Sequence, residues 1–176
     1  MRSVAKATAR VVHILVIVTV LASPVWPQQA EGARSDFEAA IFAGVFDTDA
    51  SNPSIEAGLE VRRLSYWRGL GFMAGLTATD ESSVWVYAGA RYDLTDRSAW
   101  TIAPGFAVSL YEQGDGKDLG QPLEFRSSIE VGRRVSEELR VGLIFYHLSN
   151  ASMKEVNPGS NSLVLSFAFR PPRRSG

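Results

Sequence analysis

A histidine and a serine stand two residues apart in the segment Phe145-Tyr146-His147-Leu148-Ser149-Asn150-Ala151. An imidazole can act as a general base near neutral pH, and a serine hydroxyl becomes a nucleophile only when such a base takes its proton. The segment ends a run of strong β character, so residues i and i+2 point from one face of a strand. The rest of that face is Leu139, Val141, Leu143 and Phe145. The pair therefore projects from the apolar side of its strand. That placement gives a soluble enzyme little, but it suits an enzyme whose substrate is the membrane around it.

Composition removes most other chemistries. The chain has 176 residues, which sets one domain as the default. It has no cysteine, so a cysteine nucleophile, a thiolate metal site and disulfide bonds are all excluded. At the N-terminus, Arg2, Lys6 and Arg10 precede an uncharged apolar run from Val11 to Ala22, followed by small residues and prolines. This is the pattern of a secretory signal peptide over residues 1–30, with cleavage expected between Ala22 and Ala33. An N-terminal anchor helix is the competing reading, and the apolar run is short for a membrane span. Beyond residue 30 the chain keeps 15 basic and 19 acidic residues, a net charge of −4, which is not the footprint of a nucleic-acid binder. His13 lies in the leader, so His147 is the sole remaining histidine. Carboxylates do not cluster at metal-ligand spacing, and neither a metal nor another cofactor is expected.

The elements that must hold His147 and Ser149 are strands. After residue 35 the apolar residues alternate with period two, with turn residues between runs. Eight runs result: Asp36–Phe46, Ile55–Tyr66, Leu70–Ala78, Ser83–Leu94, Ala99–Leu110, Leu123–Val135, Leu139–Asn150 and Asn161–Arg170. In the fifth, Trp100, Ile102, Pro104, Phe106, Val108 and Leu110 share one side, against Thr101, Ala103, Gly105, Ala107 and Ser109. In the sixth, Leu123, Phe125, Ile129 and Val131 oppose Glu124, Arg126, Ser128, Glu130 and Arg134. One face is large and apolar; the other is small or carries both signs of charge.

This pattern predicts an all-β fold, an eight-stranded antiparallel transmembrane β-barrel over residues 31–170, with a short basic tail over 171–176. Apolar residues would meet lipid, while small or paired polar residues would fill the lumen. The strand number is even, and runs of roughly 9–13 residues are long enough to cross a bilayer when tilted. Tyr66, Trp67, Trp85, Tyr92, Trp100, Tyr111 and Tyr146 lie near run ends, where interfacial girdles sit. Pro104 removes a ladder donor and is expected to mark a bulge. Glu56, Glu60, Arg62, Arg91, Glu124, Arg126, Glu130 and Arg134 are expected to form a charge network in the lumen. A soluble lipocalin-like barrel is the competing fold; it requires apolar residues inside and a protein that stays in the aqueous fraction. Tight connections at Tyr66–Gly69, Thr95–Ser98 and Ser136–Glu138 alternate with longer ones at Asp47–Ser54, Glu112–Pro122 and Ala151–Ser160, with Thr79–Ser82 as the exception. Long loops of such barrels face outward from the cell, which sets His147 and Ser149 at the level of the outer leaflet. In the last run Asn161 shares a face with Leu163, Leu165, Phe167 and Phe169. If the last two runs pair as a hairpin, Asn161 comes close to His147 and Ser149.

The segments His147-Leu148-Ser149-Asn150-Ala151, Asn157-Pro158-Gly159 and Asn161-Ser162-Leu163 together resemble the C-terminal hairpin of the outer-membrane lipid A 3-O-deacylases. Gly44-Val45-Phe46-Asp47 and Leu123-Glu124-Phe125-Arg126 are similar to the pattern of the same family. The resemblance implies an eight-stranded barrel in the outer membrane of a Gram-negative bacterium. Its substrate would be lipid A of lipopolysaccharide in the outer leaflet, its cofactor none, and a homodimer would be compatible with it. It implies Ser149 as nucleophile, His147 as general base and Asn157 as an oxyanion-hole donor, while Asn150 holds the loop. The family pattern has Glu where this chain has Asn161. An amide oxygen can accept a hydrogen bond from the imidazole but brings no charge, and a carboxylate-to-amide change in this role can cost about 10⁴ in turnover when it selects the wrong tautomer. Glu155 in the intervening loop is one candidate to supply the charge. The alternative function is a non-catalytic small barrel that binds lipid or stabilises the membrane.

Overall fold

In a computed structural model that describes residues 35–95, 98–154 and 157–172, the chain forms eight antiparallel strands closed into a barrel. These are β1 (Phe37–Phe46), β2 (Ser54–Trp67), β3 (Leu70–Thr79), β4 (Val84–Tyr92), β5 (Trp100–Glu112), β6 (Leu123–Arg134), β7 (Leu139–Ser149) and β8 (Ser160–Phe169). Each pairs with its sequence neighbours, and β1 pairs with β8 from Ala39↔Phe169 to Phe46↔Ser162. Closure removes both sheet edges, so the backbone of every strand can bond within the sheet, as hydrocarbon requires. The expected runs agree with the strands to within two residues at each end. The expected leader over residues 1–30, Glu155, and Arg173 and Arg174 of the tail lie outside the described residues. Of the tail that is described, Pro171 accepts a hydrogen bond from the Ser35 amide at 3.1 Å, which ties the segment before β1 to the segment after β8.

Alternation decides what each face meets. Ile41, Ile55, Leu59, Val61, Phe72, Leu76, Val86, Phe106, Val108, Leu110, Phe145 and Phe167 point outward and are exposed. Glu38, Glu56, Glu60, Arg62, Arg91, Arg126, Glu130 and Arg140 point inward and are buried. Large apolar side chains on the outer face and buried charges within are the arrangement a lipid-facing barrel needs, and a soluble lipocalin-like barrel would not expose the former.

The lower lumen, near the short turns, is ionic. Arg62 bonds Glu38 at 3.0 Å and Glu130 at 3.2 Å, and also pairs with Glu60 on its own strand. Arg91 reaches Glu130 at 2.9 Å, and Arg140 bridges Glu38 and Glu130. Glu38 and Arg140 thus join the expected network. Glu124 does not: it is fully buried, and neither carboxylate oxygen has a hydrogen-bond partner among the described residues. Arg126 is stacked between the rings of Tyr87 and Tyr146, at 4.7 and 4.2 Å from their centroids.

The upper lumen corrects a second expectation. Beside the small and polar side chains expected there, such as Glu56, Thr77, Ser109 and Ser162, it holds Phe42, Phe46, Trp85, Tyr87, Tyr111, Tyr146 and Leu148, with Leu119 from the β5–β6 loop. Phe46, Trp85 and Tyr111 pack with ring centroids 5.2–6.4 Å apart. Trp85, Tyr111 and Tyr146 are therefore plug residues rather than girdle residues. They lie near strand ends, but their parity turns them inward, and the lumen of an eight-stranded barrel has to be filled by side chains. Trp67, Tyr92 and Trp100 do face outward, all at the short-turn end. The side chain of Tyr66 lies outside the description.

Pro104 marks no bulge. The β5–β6 register runs unbroken from Trp100↔Arg133 to Leu110↔Leu123. Ile102 bonds toward β4 through both its amide and its carbonyl, so Pro104, two residues on, faces β4 as well. The β4–β5 ladder stops at Arg91↔Gly105, and the missing donor falls just past its end. The irregularity lies instead in β2, between Arg63 and Trp67.

Two substitutions separate the faces. Leu59→Arg, on the outward face midway along β2, is expected to destabilise the barrel by about 2–4 kcal/mol in a bilayer. Arg62→Ala leaves three buried carboxylates without their shared cation and is expected to cost about 3–5 kcal/mol. Urea unfolding in lipid vesicles, followed by tryptophan fluorescence, measures both.

Candidate active site

The site forms where β7 and β8 reach the long-loop end. Arg140, Ile144, Tyr146 and Leu148 of β7 point into the lumen, so Phe145, His147 and Ser149 point out. In the β7–β8 register His147 lies directly opposite Asn161. The Nδ1 of His147 is 2.8 Å from Oδ1 of Asn161. On the other flank, the β6–β7 register sets Ser127 opposite His147 and Phe125 opposite Ser149. Phe125 stacks on Phe106 of β5, with ring centroids 5.8 Å apart. A polar row, Ser127–His147–Asn161, thus crosses three strands on the outer wall, bordered below by apolar side chains.

The loop that follows Ser149 is sharply bent. Ala151 and Ser152 both adopt positive φ, 52° and 60°, which costs non-glycine residues about 1–2 kcal/mol each. The bend is braced from inside. Asn150 is fully buried and its amide donates to the Leu119 carbonyl at 3.1 Å, linking the root of this loop to the β5–β6 loop. Asn157 closes the bend: its Oδ1 accepts from the Asn150 backbone N–H at 3.1 Å, and its Nδ2 lies 3.4 Å from Ser152 Oγ. Asn157 is therefore held one residue from Ser149 with its amide orientation fixed by the bond to its oxygen.

Gly159 sets the ring position. It has φ of 59°, and a Cβ built there would lie 2.7 Å from Cε1 and 3.1 Å from Nε2 of His147. The glycine gives the imidazole the space it occupies. Among the described residues the ring makes one hydrogen bond, through Nδ1, and Nε2 and the Ser149 hydroxyl make none. The structure brings His147 and Asn161 together and sets Asn157 beside Ser149; it shows the base and the hydroxyl adjacent on one face but not bonded.

Two side chains of the site escaped the sequence reading. Ser127 is a hydroxyl in the lipid-facing row of β6, opposite His147. Asp49, in the β1–β2 loop, accepts a hydrogen bond from Nδ2 of Asn161 at 2.5 Å. Asp47 adopts a φ of 56° and turns the chain, the Thr48 amide bonds the Asn161 carbonyl at 2.8 Å, and Lys117 anchors Asp47 at 2.7 Å. The available signal was topological: when β1 closes onto β8, the first loop must abut the last hairpin. Among the described residues no group of three or more His, Asp or Glu side chains is placed to hold a metal ion.

The family model described as lipid A 3-O-deacylase (PagL) matches residues 60–170, from within β2 to the end of β8. No curated protein matches the chain by sequence. Among solved structures, the crystal structure of the outer membrane enzyme PagL is similar at a TM-score of 0.61 and 21% identity, over 75% of this chain and 98% of that one. A de novo designed transmembrane β-barrel is similar at 0.56 and 10% identity, over 81% and 99%. Neisserial surface protein A is similar at 0.51 and 15% identity, over 80% and 99%. At these identities the structural likenesses carry the fold.

Gly159→Ala is expected to displace the imidazole and to cost about 1–2 kcal/mol for a methyl group at positive φ. Imidazole resonances of His147 that shift while the barrel still folds would show the effect to be local.

Proposed function

The chain belongs to the lipid A 3-O-deacylase family, and from that premise we propose that it is a serine esterase that removes the 3-O-linked acyl chain from lipid A. The barrel resides in the outer membrane of a Gram-negative bacterium. The observation that carries the proposal is the outward direction of His147 and Ser149 at the long-loop end, with Nδ1 of the imidazole engaged by Asn161. A ring that donates from Nδ1 keeps Nε2 unprotonated, which is the state a general base needs.

The chemistry follows from the positions. Ser149 Oγ attacks the ester carbonyl as Nε2 of His147 takes its proton. Among the described residues Nε2 carries no hydrogen bond, so the two groups close on each other as the ester seats; contacts of this kind often tighten only with substrate present. The carbonyl oxygen gains negative charge, and Nδ2 of Asn157, whose amide oxygen is tied to the Asn150 backbone next to Ser149, is the donor that receives it. The bond to the 3-oxygen of the sugar breaks, and His147 returns the proton to that oxygen. Water then attacks the acyl-serine by the same route and releases a 3-hydroxy fatty acid. Phe125 and Phe106, stacked beside Ser149, offer an apolar wall along which the acyl chain lies. The plugged lumen leaves sideways entry from the outer leaflet as the route of the substrate.

The neutral amide of Asn161 favours one other reading, a barrel that binds lipid without hydrolysing it. Mass spectrometry of lipid A incubated with the purified barrel in detergent separates the two. Deacylation predicts loss of one 3-hydroxyacyl mass, reduced by at least about 10³-fold in Ser149→Ala. Acyl loss that is absent in the wild type, or equal in the variant, ends the catalytic reading. Asn157→Ala is expected to lower turnover by about 10²–10³-fold, as loss of an oxyanion donor does.

A further inference from the structure

The imidazole does not end its hydrogen-bond chain at Asn161. The amide stands between His147 Nδ1 and Asp49 Oδ2, with contacts of 2.8 and 2.5 Å. We propose that Asp49 is a positioning residue for His147, acting through Asn161, and that it supplies the negative charge that the amide at position 161 does not bring. The proposal rests on the deacylase reading for its consequence, but not for its geometry.

Donor and acceptor counting carries the argument. A carboxylate accepts and does not donate, so the amide must turn its NH₂ toward Asp49. Its oxygen is then left facing the imidazole. An amide oxygen only accepts, so the ring nitrogen opposite it must carry the proton. The ring is thereby fixed as the Nδ1–H tautomer, with Nε2 free to act as a base. Asp49 thus removes the hazard of an amide in this place. Without it, Asn161 can rotate by half a turn and present NH₂ to Nδ1, which selects the opposite tautomer and blocks the base. In the imidazolium formed during turnover, the chain His147–Asn161–Asp49 also ends on a negative charge.

The loop is built to hold the carboxylate without help from the Asp49 side chain. The Thr48 amide bonds the Asn161 carbonyl, the Ala50 amide bonds the Asp47 carbonyl at 2.9 Å, and Lys117 pairs with Asp47. Replacing Asp49 therefore leaves the loop anchored. Asp49 itself is exposed, so its removal opens no cavity.

The test is Asp49→Ala, alone and combined with Asn161→Glu. The full chain has a single other histidine, His13, and His147 resonances can be assigned against His147→Ala. Imidazole ¹⁵N shifts report which ring nitrogen carries the proton. The wild type is expected as the Nδ1–H form, and Asp49→Ala as a mixture with the Nε2–H form. The kcat for acyl release is expected to fall about tenfold to a hundredfold with little change in KM, less than the about 10⁴-fold of a fully wrong tautomer because the amide still samples both orientations. In the Asn161→Glu background, where the neighbour of the ring can no longer flip, Asp49→Ala is expected to leave the tautomer unchanged. A tautomer ratio indifferent to Asp49→Ala, or equally sensitive in both backgrounds, overturns the proposal whatever the rates do. If the tautomer responds while the wild type releases no acyl chain, the relay stands and the deacylase reading falls.

Discussion

The constraint on which the molecule depends is the need of every strand to satisfy its backbone hydrogen bonds without water. In hydrocarbon an unpaired amide costs several kcal/mol, and an open sheet has two edges of them. Pairing of β1 with β8 removes both. Once the sheet is closed, parity alone assigns each side chain to lipid or lumen. Ionic groups must then pair inside, and any group that acts on lipid must sit on the outer row. The same closure brings the first loop against the last hairpin, so the site draws on both ends of the chain.

The two halves of the lumen solve different problems. Near the short turns, Arg62, Arg91 and Arg140 share Glu38, Glu60 and Glu130, and mutual pairing is the condition under which charges tolerate burial. Near the long loops, aromatic rings fill the volume, and Arg126 joins the two regions by stacking between Tyr87 and Tyr146. Bonds from Asn150 to the Leu119 carbonyl and from the Tyr111 hydroxyl to the Lys117 carbonyl hold the β5–β6 loop over the mouth. The outer row of β7 is thus backed by a rigid interior, which is what precise placement of an imidazole demands.

Much of this was legible in the chain. Strict alternation gave the strands and the outward face of His147 and Ser149, because a period of two leaves no freedom about direction. The hairpin joining β7 to β8 brought Asn161 within reach of the ring for the same reason. The errors share a cause. Nearness to strand ends suggests girdle positions for Trp85, Tyr111 and Tyr146, although Trp85 has the parity of Arg91 and Tyr146 the opposite parity to His147. Glu38 and Arg140 are single charges near strand starts, which look like solvated ends until closure sets them face to face. Asp49 could not be read from spacing at all. It stands 112 residues from Asn161, in a loop whose course is set by bonds to β8 and to Lys117 of the β5–β6 loop.

The packed interior has a consequence for the envelope that carries it. With aromatic rings above and paired ions below, the barrel offers solutes no conduit, unlike wide porins. A cell can therefore hold many copies of it in its outermost barrier without surrendering that barrier's impermeability.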